Sequence, residues 1–296
     1  MKTMSATLFR LSGYTLYAVA LLILLAVLRF PGEELRRYGE GRLAALVPGS
    51  SWRILGLSYR FPLTVSATGL ELTLGEGREV RLLAEHLRAS LVSLAYPGEV
   101  AVSAALYGGA VQGRLRFVAG AGLAGGDLRL EGVDVARLPA EFFPGGRRLS
   151  GRLDARGELS VGPAKSPSES GLSGRGEISL RDGSISLFSP LLSLHTLDVG
   201  QLSCGLRLAR GRLDIVSGQL RGAELKADFS GWWQNGGDIF SGQVQLGGQV
   251  QPADKLLAKM AAEERHGLEL LLADHEGGLP FTVTGSVGSP LFRFDL

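Results

Sequence analysis

The sequence predicts a mainly β protein: one N-terminal transmembrane helix, then a large curved antiparallel β-sheet with a late helical insertion. Three observations carry this expectation. An uncharged run, Leu11 to Leu28, lies close to the start. Beyond about Trp52, apolar and polar residues alternate with a period of two, the spacing of a half-buried strand. Glycine supplies 43 of the 296 residues, roughly twice its usual share, and it punctuates the alternating runs where turns are required.

Residues 1–30 read as a short cytoplasmic tail and an anchor. "LSGYTLYAVALLILLAVL" reaches about the minimum apolar length for a helix that crosses a bilayer. It is longer than the apolar region of a signal peptide and runs into "RFPGEELRR" without a small-x-small cleavage site, so an uncleaved anchor is expected. Lys2 and Arg10 precede the run, and Arg29, Arg36, Arg37 and Arg42 follow it. Charge alone therefore does not orient the span, but a large downstream domain is expected outside the cytoplasmic membrane. Residues 31–50 read as a short juxtamembrane helix or linker. Pro31 suits a helix start, Glu33 and Glu34 favour its positive end, and Pro48-Gly49 stop it. Leu35, Tyr38, Leu43 and Leu46 give a stripe suited to a membrane surface or to packing on the next domain.

Residues 51–296 form the expected β domain, with strands recurring roughly every 8–12 residues. In "EISLRDGSISLF", Ile178 and Leu180 share a face, Asp182-Gly183 reads as a two-residue hairpin turn, and Ile185 and Leu187 return on the next strand. In "AELKADF", Leu225, Ala227 and Phe229 alternate with Glu224, Lys226 and Asp228. In "SAALYGGAVQGRLRF", Gly108-Gly109 reads as a tight turn or bulge. "PFTVTGSVGSPLFRFDL" closes the chain with two more alternating runs. A polar Pro/Ser loop spans 162–171, and a helical insertion spans 253–273, with Gly267 breaking or kinking it. Every strand has one apolar face, to be buried by a second sheet, by curling around a core, or against an apolar ligand.

Composition narrows the function. The 31 basic and 29 acidic residues are interleaved and the formal charge is +2, without the basic run of a nucleic-acid footprint. Cys204 is the only cysteine, which excludes an internal disulfide framework and a CxxC site. "GAGLAGG", Gly120 to Gly126, matches G-x-G-x-x-G, but the strand-like "DLRLEGVDV" follows it. A dinucleotide site needs a helix there, so the segment reads as a β-turn. His266 and His275 lie near Glu263, Glu264, Asp274 and Glu276, without any zinc-ligand spacing, and read as a solvated helix face. His86 and His195 stand alone in β-type segments. Asp127, Asp134, Asp154 and Glu158 are the carboxylates from which an acid/base pair would be drawn, yet their strand positions suit the wet face of a sheet. Trp232 and Trp233 project to opposite faces of one strand, as core packing or as a ligand platform. Catalytic, cofactor-binding and metal residues are all expected to be absent, and an enzyme is not expected.

The order of several segments resembles a known family. "RFPGEELRRY", "YPGEVAVSAALYGGAVQGRLRF", "LEGVDVARLPAEF", "LSGRLDARGELSVG", "ARGRLDIVSGQLRGAELKADFSGWW" and "FTVTGSVGSPLFRF" together resemble the GspN proteins of bacterial type II secretion systems, and more broadly the AsmA-like β proteins. The resemblance implies a single-pass protein of the Gram-negative inner membrane, with its β domain in the periplasm as an AsmA-like groove or sandwich. It implies a non-enzymatic role in export of folded proteins across the outer membrane, with other secretion-system proteins as partners. The alternative it implies is a lipid-binding or lipid-transfer module that holds phospholipid in an apolar groove.

Overall fold

A computed structural model describes Leu21 and residues 32–46, 50–60, 64–74, 80–91, 98–118, 122–140, 143, 148–162, 171–191, 194–234, 242–275 and 278–295. The expected anchor, apart from Leu21, lies outside the described residues. No described helix is long and apolar enough to cross a membrane. Helix α1 (Gly32–Leu46) matches the expected connector, with Glu33 and Glu34 in its first turn. It packs on the β domain: the Glu40 carboxylate accepts the Ile54 N–H at 2.8 Å, and Ile54 Cδ1 would touch a Cβ added at Gly39. Leu35 and Tyr38 of the expected stripe are exposed.

Seventeen strands follow among the described residues. They begin with β1 (Ser50–Ile54), β2 (Leu57–Arg60), β3 (Thr64–Ala67), β4 (Leu70–Leu74), β5 (Val80–Ala84), β6 (His86–Leu91), β7 (Glu99–Leu106), β8 (Gly109–Val118) and β9 (Gly122–Asp134). After a 3₁₀ turn at Val135–Arg137 come β10 (Leu149–Val161), β11 (Leu172–Leu191), β12 (Leu194–Ala209), β13 (Arg212–Arg221), β14 (Leu225–Gln234) and β15 (Gln243–Pro252). Helices α2 (Asp254–Leu257) and α3 (Ala262–Asp274) precede β16 (Leu279–Ser286) and β17 (Ser289–Phe294). Three strands form a small sheet, β1-β4-β5. The other fourteen form one antiparallel sheet in the order β17 back to β6, then β3-β2. From β6 onward each strand pairs with its successor, so short connections suffice and no crossover is needed.

The strands are longer than the expected spacing, because two glycine-containing turn signals lie inside strands. Asp182-Gly183 is not a hairpin. Strand β11 continues through it for 20 residues, with Asp182 at φ 51° and a register shift against β10 between Ser150 and Arg152. This is a β-bulge. Its extra residue carries Leu180 and Ile185 to the same side, where both join the core cluster. At "LYGG" the turn lies one residue earlier than Gly108-Gly109. Tyr107 and Gly108 have φ 46° and 80°, the paired positive values of a two-residue type I′ hairpin, while Gly109 already pairs with Leu106. Gly109 is required for another reason: a Cβ there would lie 2.6 Å from the Glu131 carbonyl. The G-x-G-x-x-G match likewise runs into β9 from Gly122, so most of it is strand and not turn.

The helical insertion also differs from its expected form. It breaks between Leu257 and Ala262, whereas α3 runs through Gly267, where an added Cβ would meet nothing. The break lets Leu256 and Leu268 both reach the buried cluster, at 2% and 5% exposure. A clamp from the stretch between the two helices reinforces this packing: Lys259 Nζ meets the Glu224 carboxylate at 2.5 Å. Glu224, expected on the wet side, is buried for this reason. Its carbonyl also accepts the Ala253 N–H at 2.8 Å, fixing the insertion to the turn before β14.

Candidate functional site

The large sheet sorts its side chains by chemistry. Following the register, one row crosses all fourteen strands: Tyr59, Val65, Ala89, Val102, Gly113, Leu128, Gly157, Gly176, Leu206, Ile215, Gly231, Leu246, Val283 and Phe292. All are apolar or glycine except the amphipathic Tyr59, and all are half-buried. A parallel row on the same face contains Leu159, Gly174, Leu208, Leu213, Trp233 and Val244.

Glycine makes these rows possible by giving large side chains room to lie flat on a neighbouring strand. A Cβ at Gly174 would stand 2.8 Å from Leu159 Cδ2, and one at Gly113 2.6 Å from Leu128 Cδ2. A Cβ at Gly218 would enter the Phe229 ring at 2.3 Å. Glycine within a strand ordinarily weakens it. Here the cost is offset by apolar side chains covering the vacated surface.

Toward one end of the strands the same face is sealed. Leu180, Leu220, Ala227, Val250 and Leu279, in a row that also holds Leu153 and Leu202, are buried together with Leu256 of α2 and Leu268 of α3. In the two rows named above every residue is only half-buried. Ile178 remains 36% exposed and Val161 38%, while at the β17 edge Phe292 stacks on Phe281 at 5.3 Å and meets Phe294 edge-on at 5.1 Å. Cys204 lies on the apolar face opposite Ile178 and Gly218, and burial raises its thiol pKa. Such a thiol is poorly ionised and correspondingly unreactive.

The opposite face is polar, with a depression of about 1220 Å³ spanning the start of β8 and strands β9 to β13. Arg129, Arg152, Arg156 and Arg181 line it with Glu131, Asp154 and Glu177. Arg156 pairs with Glu177 at 2.5 Å, Arg129 with Glu131 at 2.5 Å, and Arg181 with Asp154. These pairs are solvent-exposed, and each contributes at most about 1 kcal/mol.

The four sequence-selected carboxylates do not converge on a reacting centre. Asp127 and Glu158 face each other across β9 and β10, flanked in the same row by Arg114 and Arg175. Arg175 pairs with Glu158 at 2.8 Å. Asp134 caps the 3₁₀ turn, accepting the Ala136 N–H at 3.1 Å. Asp154 accepts the Gly132 N–H at 2.8 Å. That bond, with the nearby Arg181 guanidinium, outweighs partial burial and holds its carboxyl below the ordinary range. An acid held ionised by fixed donors is suited to positioning a cation and poorly suited to proton transfer.

The tryptophans divide as their adjacency requires. Trp232 lies beneath the Arg212 guanidinium, 4.9 Å from its ring centroid. Trp233 lies on the apolar face, where a Cβ at Gly242 would stand 2.3 Å from its Nε1. Both are half-buried. Among the described residues no group of three or more His, Cys, Asp and Glu could hold a metal, and Glu276 of the sequence-selected cluster lies outside them. His266 is exposed on α3, and His275 follows its last turn. His86 is exposed at the start of β6, and His195 on β12.

Fold and surfaces define a class: a large antiparallel β-sheet, wound consecutively from β6 onward, with one apolar, glycine-spaced face and one charged face. Comparison with protein-family models, with curated proteins and with solved structures found no match.

Proposed function

We propose that this chain is a non-enzymatic, membrane-tethered β module that holds the acyl chains of a phospholipid against its apolar face. The observation that carries the reading is the fourteen-strand row from Tyr59 to Phe292, apolar or glycine along nearly its whole length and half-buried throughout. At about 4.8 Å between strands such a row extends for roughly 60 Å, longer than one acyl chain. Burial of apolar surface would drive binding at about 25 cal/mol per Å². The expected anchor at Leu11 to Leu28 would keep the module at the inner membrane, with the β domain in the periplasm.

The test uses the full chain purified in mild detergent and analysed by native mass spectrometry. Bound phospholipid is expected in the wild type. It should be lost from a Leu206→Asp/Leu246→Asp variant whose circular dichroism is unchanged. Repeated preparations without lipid, or equal lipid in the double variant, overturn the reading.

A second reading is a GspN-like component of a type II secretion system, acting through protein contacts in export across the outer membrane. The order of motifs from "RFPGEELRRY" to "FTVTGSVGSPLFRF" supports it. Deleting the gene and following secreted substrates tests it directly. Normal release into the medium, together with altered outer-membrane lipid, leaves only the first reading.

A further inference from the structure

The charged face carries an arrangement that a lipid on the other side does not explain. Arg152 and Arg181 stand directly opposite each other across β10 and β11, beside the bulge. Two cations so placed repel. Arg181 is compensated, because it donates to Asp154, whose other oxygen is occupied by the Gly132 N–H. Arg152 is not. Its register partner on β9 is Asp134, but that carboxylate is engaged by the Ala136 N–H at 3.1 Å and by Arg137 Nε at 3.3 Å. Among the described residues Arg152 has no ion-pair or hydrogen-bond partner. The next cation along the row, Arg221, is taken up by Asp228 and by the Ala227 and Leu220 carbonyls.

We propose that the depression binds a phosphate-class oxyanion between Arg152 and Arg181. Gln201, opposite Arg181 on β12 and lining the same depression, supplies an amide as a third donor. Guanidinium groups offer planar forks of N–H donors that fit tetrahedral oxyanions, and a dianion between two of them removes their repulsion. Asp154 is the positioning residue, since it fixes Arg181 through one oxygen. Its depressed pKa keeps it charged in that role. An acyl chain on the apolar face cannot bring its own headgroup here, because a single sheet layer separates the two surfaces. The site therefore stands independently of the lipid reading.

Inorganic phosphate, titrated into the full chain at constant ionic strength and followed by calorimetry, tests the proposal. A saturable signal is expected. Arg152→Gln and Arg181→Gln should each weaken it by about tenfold or more. Arg207→Gln, on the same face but outside the depression, should leave it unchanged. In phosphate-free buffer Arg152→Gln should not lower the thermal midpoint, because it removes a repulsion. A second arm uses phosphatidylcholine vesicles with and without phosphatidic acid. Saturation by free phosphate assigns the site to a soluble oxyanion. Capture by phosphatidic acid vesicles alone, lost in Arg152→Gln, assigns it to a lipid headgroup. No saturable response to either probe, or equal weakening by Arg207→Gln, overturns the proposal.

Discussion

The apolar face of the large sheet exists in two conditions. Beneath α2 and α3 its residues are sealed: Leu225 and Leu279 are each 1% exposed. Farther along the neighbouring strands β12, β13 and β15, Leu206, Ile215 and Leu246 are equally apolar but only half-buried. Strand alternation made both regions, and coverage separates them. Where the helices lie, the face acts as a core and its side chains stabilise the fold. Beyond them, the sheet is held by its ladder and by leucines lying over glycines, and the apolar surface is left half-covered.

The sharpest way to break this comparison is to truncate one leucine in each region. Leu225→Ala should cost about 2–5 kcal/mol, as expected for a buried leucine whose cavity cannot collapse. Leu206→Ala should cost about 1 kcal/mol, the transfer term for a half-covered side chain. Denaturant unfolding of both variants measures the difference, and equal losses would erase the distinction. A second contrast uses glycine. Gly231→Ala, in the open row, would bring a Cβ to 2.1 Å from the Gln245 carbonyl and should destabilise by about 1–3 kcal/mol. Such a loss locates the stability of the open region in close strand approach. Gly267→Ala in α3, where an added Cβ meets nothing, should instead stabilise by about 0.5–1 kcal/mol.

The smallest expected effect is on the charged face. The Asp154 carboxyl is held below its ordinary value of 3.8. Its contribution is therefore complete above the unfolded value and disappears as pH falls through the folded one. Thermal midpoints measured downward from about pH 5 should fall less steeply in Asp154→Asn than in the wild type. Parallel curves would show that the Gly132 and Arg181 contacts do not favour the ionised acid.

Much of the fold is legible in the residues. Alternation in "AELKADF" places Leu225 and Ala227 inside and Lys226 and Asp228 outside, as observed. Glu33 and Glu34 mark the first turn of α1, and the strand character of "DLRLEGVDV" rules out a phosphate-binding helix after Gly126. The failures share one cause. Asp182-Gly183 has the chemistry of a hairpin turn, and the same positive φ serves equally well in a bulge. Which of the two forms depends on whether the flanking residues pair with each other or with β10 and β12. Glu224 fails similarly, because a carboxylate is buried only when a cation arrives from elsewhere in the chain. The charged depression was invisible for the same reason, since Arg152 and Arg181 are 29 positions apart and meet through register.

Sequence alone determined the chemistry of each strand: which residues face together, and that one face is apolar and the other wet. Period-two alternation is a local property and survives any arrangement of the strands. Tertiary structure alone decided what that chemistry became. It set the register that joins fourteen strands into one apolar row, chose the portion that α2 and α3 cover, and placed Arg152 opposite Arg181. Those outcomes depend on contacts between distant segments, whose energies do not appear until the chain has folded.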